Sequence, residues 1–489
     1  MTVPIRLGLP TIELVDPRID PEEVERARRA RAAELAGATD TQKLVPALMD
    51  PAIEAGRMLA AQTEDGLPKL RYWSGTFWYW SEGRYYELPI SEVRALIVNH
   101  LNANYAKIGT SAASNTLEQL RAQSILSSRI QPPSWLRREA WETEDIVATT
   151  NAIVHLPSFA EGANVYAKDA TPAYFTMNAV DYRFEREQPD CPRWKQFLHE
   201  LWPNDQQSIE LLQDWFGYCL TPDTRQQKIL MLIGSRRSGK GTIARVLTGV
   251  VGNGNVCGPT LASLQTNFGL SPLLGKSLAI ISDARLSGRS DQAVITERLL
   301  AISGEDSQTV DRKYLEPVTT KLLARFMIVS NELPRLQDAS GALTGRMLVL
   351  KLTESFYGRE NQRLTEALSN ERSGILHWAI AGWKRLRERG YFMQPESGAC
   401  LREQLDELSS PISAFVKDRC ELGAGYQIEC KELYRVWCEW CAESGRQPGA
   451  INVFGKDLGA LRPEIAVTNH RLGAHRVRKY NGIRLAAAF

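Results

Sequence analysis

The residues best suited to chemistry lie in the run Gly234-Ser235-Arg236-Arg237-Ser238-Gly239-Lys240-Gly241-Thr242, which follows the apolar stretch Ile229-Leu230-Met231-Leu232-Ile233. A glycine-rich turn between a buried strand and a helix turns backbone N–H groups inward, where they cradle phosphates. A lysine at its end adds a point charge against the β- and γ-phosphates of a nucleoside triphosphate. The spacing predicts ATP binding and hydrolysis, with a helix over Thr242–Leu247 behind the loop. One departure from the usual pattern concerns the metal: Gly241 stands where a hydroxyl residue ordinarily reaches Mg²⁺, and Thr242, one position later, is the alternative oxygen.

A phosphate loop alone names no reaction. Downstream, Ser277-Leu278-Ala279-Ile280-Ile281-Ser282-Asp283 reads as a continuous buried strand ending in an acid, as expected when a carboxylate must reach Mg²⁺ at the carboxyl edge of a parallel sheet. Asp283 is the metal candidate, and a turn-capping role is its plain alternative. Ala284 follows, so no second acid is paired with it, and Asp283 and Glu332 are the nearest groups for activating water. A third apolar run, Phe326-Met327-Ile328-Val329-Ser330, ends in Asn331, whose amide both donates and accepts and so suits orienting water against a γ-phosphate. Arg346, after Ala342-Leu343-Thr344-Gly345 and before the strand Met347–Leu350, is the arginine-finger candidate, with Arg325 and Arg335 as competitors and a surface ion pair as the alternative. Between the second and third runs, the polar segment Ile302–Tyr314 reads as a loop or hairpin. It carries Arg312, Lys313 and Tyr314, types that suit single-stranded nucleic acid but also occur on any solvated surface.

Taken in order, the loop Gly234–Thr242, the strand ending at Asp283, the segment from Ser303-Gly304-Glu305-Asp306 to Lys313, Asn331 and Arg346 resemble the superfamily III helicases. The likeness is nearest to the phage/plasmid primase-helicase family that includes satellite-phage and poxvirus replication helicases. Leu211–Leu220, Asn331-Glu332-Leu333-Pro334 and Ser410-Pro411 to Phe415 also look like segments of that family. The resemblance implies an AAA+-type ATPase that assembles as a hexameric ring, with ATP and Mg²⁺ at subunit junctions and a basic hairpin gripping DNA in the channel. It implies roles for Lys240 on phosphate, Asp283 on Mg²⁺, Asn331 as sensor, Arg312 and Lys313 on the hairpin, and Arg346 as finger in a neighbouring subunit. Gly241 and Ala284 are departures that touch the metal and the water.

The elements that must position these groups fall into five segments. Residues 1–45 form a charged, aromatic-poor arm in which Asp20 caps a polar helix opening at Pro21. Residues 46–190 are expected to be an α+β domain, with an aromatic meander over Leu70–Leu88 broken at Ser74-Gly75 and Glu82-Gly83, then helices over Ile90–Ala103 and Leu117–Ser127. Interleaved aromatics and arginines in that meander can stack bases, although aromatic strands of a small sheet more often form core. Residues 191–222 form a helical collar, Trp194–Trp202 and Ile209–Leu220, and residues 223–395 the ATPase, closed by a helix Gly374–Arg389 with Gly390 as its cap.

Pro395-Glu396-Ser397-Gly398 reads as a linker to residues 400–489. There, helices Pro411–Cys420, Cys430–Ser444 and Asn452–Leu461 precede a basic hairpin through Arg471, Arg476, Arg478, Lys479 and Arg484, with Asn481-Gly482 as its turn. Three helices and a terminal hairpin predict a winged-helix-like domain for duplex or origin DNA through Arg476, Arg478 and Lys479, with a protein-contact wing as the alternative. The expected fold class is therefore α/β: a P-loop AAA+-type core with a parallel sheet, preceded by an α+β region and helical collar and followed by the winged-helix-like domain.

Composition bounds the partners without naming them. With 59 Lys and Arg against 57 Asp and Glu, the net charge of +2 announces no nucleic acid, so basicity must be local. Eight scattered cysteines and an N-terminus without a basic-then-apolar layout predict free thiols in a reducing cytoplasm, that of a bacterial host cell. Cys438 and Cys441, with Cys420 and Cys430, invite a zinc reading, but they lie in a helical pattern with no complete second pair. The expected partners are single-stranded and forked DNA, further copies of the chain, and a primase or loader protein. No acidic catalytic triad or cysteine-rich zinc motif in the N-terminal part of the chain marks primer synthesis. A helicase without that activity is the favoured reading, and the helicase part of a primase-helicase or an origin-binding, remodelling ring are the alternatives.

Overall fold

The apolar runs become neighbouring strands of one five-stranded parallel sheet. In chain order these are β1 (Ile229–Gly234), β2 (Val256–Cys257), β3 (Leu278–Ser282), β4 (Arg325–Ser330) and β5 (Met347–Leu352), and in space they lie β2-β3-β4-β1-β5. The computed structural model describes residues 49–105, 108–109, 111–187, 189–282, 284, 291–313, 315–334, 336, 338, 341–472 and 475–486, with the side chains of 470–476 excepted. The charged arm with Asp20, and Asp283, Tyr314 and Arg335, lie outside the described residues. Residues 51–489 form one compact unit.

Period-two alternation sorts each strand's side chains to two cores. Leu230, Leu232, Met327, Leu348 and Leu350 pack with Ile243, Leu247 and Val250 of the helix Lys240–Val251, while Ile229, Met231, Phe326, Ile328 and Val349 pack with Ile295, Leu299 and Ile302 of the helix Gln292–Ser303. Both faces of β1 and β4 are therefore dry, which is why these strands read as unbroken apolar runs rather than alternating ones. The helix behind the loop begins at Lys240, two residues before the expected Thr242, because Gly239 takes a left-handed φ of 90° and ends the turn there.

The collar forms as two helices, Pro192–Leu201 and Gln206–Tyr218, with Asp205 capping the second through Ser208 N. Gln206–Tyr218 lies against Arg372–Arg389 at unusually close range: a Cβ on Gly217 would sit 2.3 Å from Trp383 N, and one on Gly382 would sit 2.2 Å from Gln213 O. Asp214, buried beside this crossing, accepts from Arg385 and Arg389. Gly217→Ala is expected to cost about 1–3 kcal/mol or more through backbone displacement, read as a lowered midpoint in denaturant unfolding with an unchanged slope. A midpoint equal to wild type would show that the helices separate without cost.

In the N-terminal segment, the expected meander is present as Leu70–Trp73, Thr76–Ser81 and Arg84–Leu88. Positive φ at Ser74 (49°), Gly75 (85°), Glu82 (51°) and Gly83 (79°) makes both connections two-residue turns of the mirror-image type that matches strand twist. Its aromatics are mostly core: Trp73, Phe77, Tyr79, Trp80 and Tyr85 are buried, and Trp78 is partly exposed. The helices that follow run Ile90–Asn104 and Ala112–Ser124.

Two expectations at the C-terminal side are corrected. The supposed linker Pro395–Gly398 is the start of a helix, Glu396–Ser409, which packs on β5; Gly398 is pressed so close that a Cβ would meet Val349 O at 2.2 Å. Asn481-Gly482 is not the hairpin turn but lies inside the strand His475–Leu485, which pairs with Ala466–Leu472 on one side and with an unforeseen strand, Cys420–Glu429, on the other. The three helices run Pro411–Arg419, Cys430–Glu443 and Ile451–Leu461 around a core of Phe415, Leu433, Trp437, Phe454, Leu458 and Ile483. Among the described residues, no helix is long and apolar enough to cross a membrane.

Candidate functional site

β1 is the second strand from one edge of the sheet, flanked by β4 and β5, and its carboxyl end carries the glycine-rich loop. Gly234 closes β1 where a Cβ would meet Leu352 O at 2.6 Å and Ser238 Oγ at 2.9 Å, so the loop folds flat against β5. Arg237 (φ 61°) and Gly239 (φ 90°) then reverse the chain into the helix Lys240–Val251. The helix N-terminus and its unpaired N–H groups face the same space, an arrangement that favours an anion.

Lys240 is buried and turned inward. Its ammonium donates to Gly234 O (2.8 Å), Ser235 O (2.7 Å), Ser238 Oγ (3.2 Å) and Asn331 Oδ1 (3.1 Å). Burial lowers its pKa from the ordinary lysine value. Two residues picked out 91 positions apart in the chain thus meet because β4 pairs with β1 in the register Ile233↔Ser330, which brings Asn331 level with the start of the loop.

Above them opens a pocket of about 850 Å³, within the usual range for small-molecule sites. The loop residues Arg236 to Thr242 form its floor. Two walls went unrecognised in the sequence: Phe197 and Glu200 of the collar helix, and Phe356, Arg359 and Leu364 beyond β5. The second wall is tied to the loop, since Phe356 N donates to Arg237 O (2.9 Å), Ser355 Oγ to Arg236 O (3.3 Å), and Arg237 pairs with Glu360 at 3.4 Å. Its residues show no periodicity or motif that could have marked them. Thr242 Oγ1 accepts from Arg245 at 3.3 Å, and a Cβ on Gly241 would lie 3.3 Å from the same guanidinium. Arg245 therefore covers the position where the usual metal-binding hydroxyl is replaced by glycine.

The other candidates lie elsewhere. β3 ends at Ser282 beside β4, and Asp283, the next residue, is outside the described residues. Glu332 is exposed. Arg346 ends the short helix Ala342–Arg346 and does not line the pocket; its guanidinium donates to Leu300 O and to Ser303 Oγ (3.0 Å), at the end of the helix Gln292–Ser303. Arg325 is 3% exposed, donates to Thr221 O and Asp223 O and stacks on Tyr218, so it brackets the collar to β4 and is inaccessible to any ligand.

The segment read as a loop or hairpin is an antiparallel hairpin, Ser307–Arg312 with Leu315–Lys321, and places Arg312 and Lys313 at its tip. Arg312 donates to Glu316 O (2.7 Å) and to Ser74 O (3.2 Å), which pins the tip to the first turn of the aromatic meander. In the C-terminal sheet Arg478 is exposed and Lys479 partly buried, opposite Asn469 and Thr468. The side chain of Arg476 is outside the described residues.

With this geometry in view, the comparisons are coarse. A family of unknown function (DUF5906) matches residues 232–346, from within β1 to Arg346. Among solved structures, the A form apo structure of the NrS-1 C-terminal region is similar at 13% identity and a TM-score of 0.48, covering 89% of this chain and 100% of that one. Another A form apo structure of that region, spanning its residues 305–718, is similar at 12% identity and a TM-score of 0.49, covering 88% and 99%. The family match takes in the loop, β3, the hairpin, β4 and Asn331.

Proposed function

We propose that the chain is an ATP- and Mg²⁺-dependent DNA helicase that works as a hexameric ring in the replication of a phage, satellite or plasmid. The observation that carries the reading is the contact of Lys240 with Asn331 beneath the 850 Å³ pocket, at the carboxyl edge of a parallel sheet where such folds hold their ligands. In it, triphosphate enters at the loop, the ammonium exchanges the carbonyls of Gly234 and Ser235 for phosphate oxygens, and Asn331 is released to orient water. Bound Mg²⁺ would supply neutralising charge to the phosphates, and the hydroxyl of Thr242 and the carboxylate of Asp283 fit its preference for oxygen. Arg346 would act on the nucleotide of a neighbouring subunit. The C-terminal domain, in the order helix, strand, two helices and two strands, would serve as a winged helix, presenting Ile451–Leu461, Arg476, Arg478 and Lys479 to duplex or origin DNA.

The decisive experiment is unwinding of a forked DNA by wild type beside Lys240→Ala, with the mass of the assembly recorded with and without ATP. ATP-dependent unwinding by the wild-type oligomer alone is expected. Hydrolysis by a wild-type ring that leaves the fork paired would turn the reading toward an origin-binding or remodelling ring, which draws on Arg312 being committed to protein carbonyls. Replacing Arg312 and Lys313 together by alanine is expected to weaken single-stranded DNA binding and to flatten its salt dependence by roughly 0.7 in slope for each lost phosphate contact. An unchanged slope would leave the hairpin without a DNA role.

A further inference from the structure

The pinning of the hairpin tip to the meander borders a second cleft, which shares no lining residue with the pocket above the loop. It measures about 500 Å³ and is lined by Trp78 and Trp73 of the meander, by Met177 and Lys276, and by Arg312, Lys313 and Lys321 of the hairpin. Four of its lining side chains are cations and one, Glu87, is an anion, so the cleft is locally basic in a chain that is nearly neutral as a whole. Trp78 is held in place: its indole N–H donates to Trp73 O (3.3 Å) and its ring meets Trp73 edge-on at 6.1 Å. It remains partly exposed, as Tyr72 and Tyr86 do, while Trp73, Phe77, Tyr79, Trp80 and Tyr85 of its sheet go to core. Lys276 is anchored at the rim through Gly254 O (2.6 Å), and Lys321 is exposed.

A fixed aromatic face among cations at this scale is what an unstacked nucleotide requires: the ring takes the base whatever its identity, and the ammonium groups meet the phosphates on either side. We propose that this cleft is a seat for single-stranded nucleic acid, with one base against Trp78 and the flanking phosphates near Lys276 and Lys321. It extends the nucleic-acid part of the function proposed above. In a hairpin acting alone, the tip grips only backbone. Here the strand is held between the hairpin and the N-terminal sheet, so a movement of the hairpin relative to that sheet would act on a base and not only on phosphates.

The test uses the full chain without nucleotide and an oligothymidylate carrying 5-iododeoxyuridine, photocrosslinked and mapped by mass spectrometry. The expected adduct is on Trp78. In anisotropy titrations Trp78→Ala should weaken binding of the oligonucleotide by roughly 5- to 150-fold, the range of one lost stacking contact, and Trp78→Phe should retain most of the affinity. Lys276→Gln with Lys321→Gln should reduce the slope of log K against log salt by about 0.7 per phosphate contact while leaving the fold intact by circular dichroism. Adducts confined to other residues, with wild-type affinity and salt slope in these variants, would overturn the proposal, as would a cleft that takes a peptide and no oligonucleotide. The outcome is separable from the motor reading. A Trp78 adduct in a chain that hydrolyses no ATP keeps the cleft and removes the motor, and DNA-stimulated hydrolysis without that adduct does the reverse.

Discussion

Lys240→Ala is expected to bring ATP hydrolysis below detection while leaving the chain folded. The ammonium is the one charge that reaches Gly234 O, Ser235 O, Ser238 Oγ and Asn331 Oδ1 together, at 2.7 to 3.2 Å. Phosphate arriving at the helix N-terminus would lose the buried ammonium and meet only the exposed guanidinium groups of Arg236 and Arg237 on the floor of the pocket, and a preorganised charge in a partly dry site cannot be replaced by water at equal effect. The structural cost is smaller. Two of the four acceptors are loop carbonyls at the edge of an open pocket that water can enter, so the loss of stability is about 1–3 kcal/mol, the penalty for polar groups left short of a partner. Calorimetric titration with ATP and a thermal melt on the same preparation separate the two effects. Turnover that survives in a folded Lys240→Ala chain would move the active site away from this loop.

How much of this was legible depended on whether a feature has a short-range signature. β1, β3 and β4 announced themselves because they are buried on both faces, and the loop because glycine and lysine at that spacing follow a strand. Lys240 and Asn331 could be named separately, but their contact could not, since it depends on β4 lying between β3 and β1 and pairing with both. The pocket walls at Phe197 and Phe356 carry no pattern; the first is one apolar position of an ordinary amphipathic helix, the second a loop residue whose backbone N–H meets Arg237 O. Proline and glycine misled twice for definable reasons. Pro395 precedes a helix instead of opening an irregular linker, and Gly398 is small because Val349 O lies against it. Gly482 has a φ of 95° within a strand, opposite an irregular pairing between Leu422 and Gln427, and there glycine serves a bulge instead of a hairpin turn.

Arg346→Ala separates the contacts that the structure shows for this side chain from the role proposed for it. Within the chain, the guanidinium ties the start of β5 to the end of the helix Gln292–Ser303 through Leu300 O and Ser303 Oγ. In the proposed ring it also faces the nucleotide of the adjoining subunit, where removal of a finger charge lowers kcat by more than about 10² and leaves ATP affinity and assembly largely unchanged. A purely structural role predicts the opposite pattern, a lowered melting temperature with near-normal kcat in the protein that remains folded. Mixing decides between a finger that acts in trans and one that acts within its own subunit. Arg346→Ala subunits keep an intact loop and Lys240→Ala subunits keep an intact arginine, so junctions pairing the first subunit's loop with the second's Arg346 are complete. Mixed rings should therefore regain hydrolysis that neither variant shows alone. Rings that form, by mass, without any regain would exclude action in trans and confine the effect of Arg346 to its own subunit, where its contacts are with Leu300 and Ser303.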